Sequence, residues 1–189
     1  MHTAPDNSWG LTVTIAGVSN GASACSDTTN SGFASSATEV NLGAVATNTN
    51  ISAQTITVST NAANGYVMTA TSSGFLINPA SGYYIPNAQG NVTNNNAPAP
   101  VAITAGTPAY GIHPCGNHST TLGTPPWGTG GGASNRYANP SQAFYYTLAI
   151  SNGPASSVAT TVEYAATVNA TFPPGLYANV LTYVVTPIF

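Results

Sequence analysis

Apolar and polar side chains alternate with a period of two along several segments of this chain. In the first such segment the apolar residues share one face, and threonines and small residues occupy the other. Its apolar members are Trp9, Leu11, Val13 and Ile15. The alternation recurs over residues 55–59 and again over residues 144–150. Because successive side chains of a strand point to opposite faces, this pattern predicts β-strands.

The longest alternation covers residues 161–172, where valine, tyrosine, alanine and phenylalanine face inward and Glu163 faces outward with the threonines. Turn-forming residues separate the predicted strands. Residues 61–65 end in Asn-Gly, which is typical of a hairpin, and residues 173–175 are Pro-Pro-Gly. A last strand is predicted over residues 180–185.

No segment shows the 3.6-residue period of an amphipathic helix with its caps, so the chain is predicted to be all-β. Strands separated by such turns favour two packed sheets, a β-sandwich, over a parallel α/β sheet. Loop-forming residues dominate at about 78–100 and 113–141. We therefore expect one sandwich domain over residues 18–189, with long surface loops in those two ranges.

The chain carries very little charge. Only 3% of its 189 residues are charged, against about 25% in an ordinary soluble domain, and Arg136 is the sole Lys or Arg. A nucleic-acid partner is excluded, since one cation cannot neutralise a phosphate backbone. No apolar run is long enough for a membrane span. Disorder driven by charge is also excluded, because 42% of the residues are hydrophobic.

Two sequence features indicate a secreted protein. Cys25 and Cys115 are the only cysteines, and an even pair predicts one disulfide in an oxidising compartment. The alternative is two unpaired buried thiols. Four Asn-x-Ser/Thr motifs are candidates for glycosylation, which would help a nearly uncharged surface to stay soluble. They begin at Asn50, Asn91, Asn117 and Asn169.

Candidate catalytic or metal-binding chemistry is sparse. The carboxylates are Asp6, Asp27, Glu39 and Glu163. No two of them are placed together by the sequence, as glycoside hydrolysis would require. With Cys115 in a disulfide, His113 and His118 alone are too few ligands for zinc. The glycine-rich stretch at 128–134 lacks the Gly-Lys-Ser/Thr ending of a phosphate-binding loop. We therefore predict no enzyme activity, no metal and no cofactor.

Aromatic residues in the predicted loops allow two interpretations. They are Tyr83, Tyr84, Tyr110, Trp127, Tyr137 and Tyr145. Exposed rings of this kind stack on sugars or anchor a protein partner. Alternatively, the rings pin the long loops onto the sandwich. The first interpretation suggests a secreted carbohydrate-binding or adhesive module.

Several segments resemble secreted pilin-like domains. They are NLGA at 41–44, TITVSTN at 55–61, GYVMT at 65–69 and the closing FPPGLYANVLTYVVTPIF at 172–189. The closing segment, a turn into a final strand that ends on an aromatic residue, is similar to the end of spore-coat-U-like chaperone–usher pilins and of archaeal threads.

This resemblance implies an Ig-like sandwich that lacks one strand and is completed by the N-terminal strand of a neighbouring subunit. Residues 1–17, with Trp9, Leu11, Val13 and Ile15, are the matching donor. The implied function is a structural subunit of an extracellular, cell-surface filament or pilus, with identical subunits as partners. The alternatives are that the strand pairs within its own subunit, that the chain is a module binding glycans or a neighbouring cell, or that it is a secreted hydrolase.

Overall fold

The structure is a computed structural model that describes residues 10–25, 27–88, 101–116, 137–138 and 146–189. Within these ranges the chain forms strands, turns and irregular segments, with no helix. The strands are β1 (Leu11–Gly17), β2 (Ser23–Ala24), β3 (Asp27–Thr28), β4 (Asn50–Thr60), β5 (Tyr66–Ser72), β6 (Leu76–Ile77), β7 (Tyr84–Ile85), β8 (Ala109–Gly116), β9 (Tyr146–Ser151), β10 (Ala155–Thr167) and β11 (Leu181–Pro187). The all-β prediction is confirmed.

Two antiparallel sheets pack against each other. The first has four strands in the order β1-β4-β10-β8, and the second has three in the order β11-β5-β9. Two short hairpins, β2–β3 and β6–β7, complete the described strands. In β4 and β5 the buried and less buried positions alternate as the sequence predicts, because each of these strands buries one face between the sheets.

The core lies between the two sheets. Its first-sheet members include Ile56, Val58 and Val162, and its second-sheet members include Met68 and Leu148; all five are fully buried. Burying one side chain of this size stabilises the fold by about 1.5–3 kcal/mol. A chain with so few charges therefore depends on apolar contacts between the layers.

Strand β10 departs from the sequence prediction at its end and on its outer face. It ends at Thr167, not at Phe172, and the Phe172 N–H closes a turn by donating to the Asn169 carbonyl at 3.1 Å. Its outward side is also buried: Ala165 packs in a further cluster with Tyr137 and residues of other surface segments. The outward-facing positions of β10 from Glu163 to Thr167 are therefore buried.

Strand β8 was not predicted, and the expected loop over 113–141 is wrong at its start. Residues 113–116 belong to β8, which is buried on both faces and pairs with β10. Gly111 within this strand allows close packing, since a Cβ there would lie 2.9 Å from the Tyr137 Cβ. The rest of that loop lies outside the described residues, apart from 137–138. Of the expected loop at 78–100, the described part contains β7.

The predicted disulfide is present. Cys25 and Cys115 are bonded, with 5.5 Å between their Cα atoms, and the described residues include no free cysteine. The bond fixes the β2–β3 hairpin to β8. In the part of the chain that the structure describes, no helix is long and apolar enough to cross a membrane.

Candidate assembly site

Strand β1 lies at the edge of the four-stranded sheet and pairs with β4 of the same chain. Val13 is opposite Val58, and Ile15 is opposite Ile56. We expected this segment to complete the sheet of a neighbouring subunit; in the single chain it takes the alternative position, within its own sheet. Trp9 lies outside the described residues, so the described part of the expected donor is 10–17.

The apolar face of β1 is only half covered. Leu11 and Val13 are 38% and 39% exposed, whereas Val58, the direct partner of Val13, is fully buried. Ile15 is the one residue of β1 that is not classed as exposed, and it packs against the core. The strand therefore points its apolar side chains in the core direction, but the core covers only its Ile15 end.

Leu11 and Val13 are partly uncovered because the second sheet has one strand fewer than the first. Its edge strand β11 contacts the first sheet through Tyr183, whose hydroxyl lies 2.5 Å from that of Tyr164 on β10. Tyr164 in turn donates to Gln54 Oε1 on β4 at 2.5 Å. Strand β11 thus lies over β4 and β10. Among the described strands, none of the second sheet extends beyond β11 over Leu11 and Val13.

The tyrosines of this contact are held in their neutral form. Burial is the main cause that raises the pKa of Tyr164, Tyr183 and Tyr110. Neighbouring phenols raise the pKa of Tyr164 and Tyr110 further, whereas the hydrogen bond with Tyr164 offsets part of the rise at Tyr183. Three hydrogen bonds form a row. Because Tyr164 donates its hydroxyl proton to Gln54, it accepts a hydrogen bond from Tyr183. Gln54 Nε2 then donates to the Ser36 carbonyl at 2.6 Å. This row joins the two sheets to the segment at residues 33–45.

The 33–45 segment closes the sandwich at the Gly17 end of β1. Ser35 donates its N–H to the Val18 carbonyl at 3.1 Å, and its hydroxyl accepts from the Val18 N–H at 2.8 Å. Val40 and Leu42 of the same segment pack against the core. The backbone contact is so close that a Cβ at Gly17 would lie 1.9 Å from the Ser35 carbonyl oxygen. Only glycine fits at this position.

We predict that Gly17→Val loosens the end of β1 and lowers the free energy of unfolding by about 1–3 kcal/mol, the usual cost of overpacking. The obstacle is backbone, which cannot turn away as a side chain can. Gly10→Ala is the matched control, since nothing lies within 4 Å of a Cβ there. Urea denaturation measures both. Equal stability of the two variants would contradict the close contact between Gly17 and Ser35.

Two carboxylates meet at one buried phenol on the outer face of the first sheet. The Tyr137 hydroxyl lies 3.2 Å from Glu163 Oε2 and 3.3 Å from Asp27 Oδ2. Glu163 is fully buried, and its cross-strand neighbour His113 is 2% exposed. Sequence analysis brought no two carboxylates together, because these residues are far apart in the chain. The full burial of Glu163 favours a structural contact that holds the β2–β3 hairpin on the sheet.

The other candidate residues have mixed outcomes. Tyr110 and Tyr137 are buried and so fit the interpretation in which the rings pack onto the sandwich; Tyr83 and Tyr84 are 57% and 49% exposed. Trp127, Tyr145 and His118 lie outside the described residues, as do the glycosylation candidates Asn91 and Asn117. Within the described residues, no three His, Cys, Asp or Glu side chains are placed to hold a metal ion.

Comparisons of the chain with protein-family models, curated proteins and solved structures find no match.

Proposed function

We propose that this protein is a structural subunit of an extracellular filament, in which β1 of one chain pairs with β4 of the next. The observation that carries the proposal is the state of β1: an edge strand with one neighbour, whose Leu11 and Val13 side chains are more than one third exposed. Exchange keeps every backbone hydrogen bond between β1 and β4. It also places the exposed apolar side chains at the junction between two subunits.

The energetics favour exchange at high local concentration. The β1–β4 register, from Leu11 opposite Thr60 to Gly17 opposite Gln54, is the same whether the two strands belong to one chain or to two. The free-energy difference between the two forms therefore arises at the connector, residues 18–22, and at the new junction. A head-to-tail exchange that does not close into a ring generates a fibre.

The near absence of charge suits an extracellular polymer. With 3% charged residues, the surface changes little when external salt or pH changes. The Cys25–Cys115 disulfide suits an oxidising compartment outside the cell. An Ig-like sandwich completed by a donated strand remains part of the proposal, as does its location in a cell-surface appendage.

Engineered cysteines test the exchange directly. Thr14 and Thr57 are opposite residues of β1 and β4, and neither is buried. In the T14C/T57C variant, opposite Cα atoms are within disulfide range. We expect non-reducing gels of assembled material to show a ladder of covalent multimers, because each bond joins two chains. A single monomer band would mean that β1 stays in its own chain, and it would overturn the proposal.

Two controls make the result specific. T12C/T57C changes the same strands but shifts the pair by two residues, since Thr12 is opposite Ser59; we expect no ladder from it. Removing residues 1–17 deletes β1 altogether, and we expect a soluble, unstable or aggregating subunit that forms no fibres in negative-stain micrographs. Intact fibres after that deletion would contradict the proposal.

A further inference from the structure

The structure places two of the four candidate glycosylation motifs in opposite environments. Asn169 begins a motif in the turn after β10, and Asn50 begins one at the start of β4. Asn91 and Asn117 lie outside the described residues. Asn50 and Asn169 begin equivalent motifs in the sequence, but their side chains make different contacts in the structure.

The amide nitrogen of Asn50 already donates two hydrogen bonds within the protein. Its Nδ2 donates to the Leu42 carbonyl at 2.8 Å and to the Ala44 carbonyl at 3.2 Å, and thereby holds the 33–45 segment on the strand. Ser52, the hydroxyl residue of the same motif, is 1% exposed. An amide nitrogen bonded to a sugar keeps only one of its two hydrogens, so a glycan at Asn50 is incompatible with these contacts.

Asn169 has the reverse arrangement. Residues 169–171 are all exposed. Oδ1 of Asn169 accepts from the Thr171 N–H at 3.2 Å and from the Thr171 hydroxyl at 3.1 Å. The contacts that the structure gives this side chain are thus made by its oxygen, and Nδ2 projects from an exposed turn. The Thr171 hydroxyl, which the motif requires, is therefore hydrogen-bonded to the Asn169 side chain.

We propose that Asn169 is an N-glycan acceptor of this protein and that Asn50 is not. The donor class is an oligosaccharide linked to a polyprenyl diphosphate. In the transfer, Asn169 Nδ2 bonds to the anomeric carbon of the first sugar and the bond from that carbon to the diphosphate oxygen breaks. Nδ2 gives up one proton to a base of the transferase, and the polyprenyl diphosphate leaves.

The location of Asn169 leaves the candidate assembly site open. Strand β10 begins at Ala155 opposite Thr60, the partner of Leu11, and ends at Thr167. The Asn169 turn therefore follows the end of β10 that is farther from Leu11. A glycan there would solvate a surface that has almost no charge. The inference does not rest on the proposed filament, and either can fail without the other.

The test uses the full chain, secreted through a host pathway that contains an oligosaccharyltransferase. An N91Q/N117Q background removes the two motifs outside the described residues. We expect the disulfide-bonded, folded fraction to carry one glycan, found by peptide mapping at Asn169. N169Q and T171A should remove that glycan, T171S should retain it, and N50Q should leave occupancy unchanged.

Two results would overturn the proposal. One is a folded fraction without sugar at Asn169, and the other is a folded fraction with sugar at Asn50. Peptide mapping of the native protein gives a second reading. A peptide that contains Asn169 and has its unmodified mass throughout would show that the site is not used.

Discussion

Above pH 10 the protein should lose stability steeply, and the loss should follow its buried tyrosines. Burial raises the pKa of Tyr110, Tyr164 and Tyr183 in the folded state. In the unfolded chain these phenols ionise near pH 10. Below that pH both states bind the protons equally and stability is fully retained. Above it only the unfolded state releases them, so the free energy of unfolding falls as pH rises.

The expected slope is large. Each phenol that stays protonated only in the folded state lowers the free energy of unfolding by about 1.4 kcal/mol per pH unit, and three lower it by about 4 kcal/mol per unit. The chain has no lysine, so the other side chain that usually titrates near pH 10 is missing. Urea denaturation at pH 9, 10, 11 and 12 measures the slope.

Substitutions show which tyrosines cause the free energy of unfolding to fall with pH. Tyr183→Phe should reduce the slope by about 1.4 kcal/mol per pH unit, because one buried phenol is lost. Tyr83→Phe is the control, since that ring is more than half exposed, and we expect its slope to equal that of the unaltered protein. A free energy of unfolding that stays constant from pH 9 to 11 would show that the buried phenols ionise as easily in the folded state.

Removing the disulfide should have a comparable effect at neutral pH. The bond joins residues 90 positions apart, and opening a loop of that length is expected to cost about 4.5 kcal/mol through the entropy of the unfolded chain. Total stabilities are about 5–15 kcal/mol. The C25S/C115S variant is therefore expected to be marginally stable, and urea denaturation should show a midpoint far below that of the oxidised protein.

The effect should be specific to the covalent bond. Ser23→Ala alters an exposed position of the same β2–β3 hairpin and should leave the free energy of unfolding within about 0.5 kcal/mol. Reduction of the unaltered protein should reproduce the double-serine result. A double-serine variant within about 1 kcal/mol of the oxidised protein would contradict the loop-entropy argument.

Strands with one buried and one more open face were predictable. Residues 11–15, 55–59 and 66–70 alternate because neighbouring side chains meet different surroundings, and β1, β4 and β5 form there. The turn at 61–65 is confirmed, but it is not a hairpin, because the strands it joins, β4 and β5, belong to different sheets. Gly65 has a φ of 77°, and a Cβ there would lie 2.2 Å from the Ser151 carbonyl oxygen.

Strand β8 was missed because it is buried on both faces and therefore has no alternation to detect. It also contains glycine and proline, at Gly111 and Pro114, which favour a loop prediction.

Glu163 was correctly assigned to the outward face of β10. Its burial was not predictable, because the segments that cover it come from distant parts of the chain.

The sequence by itself determined that this protein is all-β and that much of its core comes from alternating apolar faces, and it favoured a bond between the two cysteines, which the structure contains. Only the tertiary structure decided which strands are neighbours. It placed β1 at an edge with Leu11 and Val13 half exposed, brought Asp27 to Glu163, and made Asn169 accessible while engaging Asn50. The reason is that alternation is a local property, whereas sheet pairing uses backbone groups that are the same in every residue except proline.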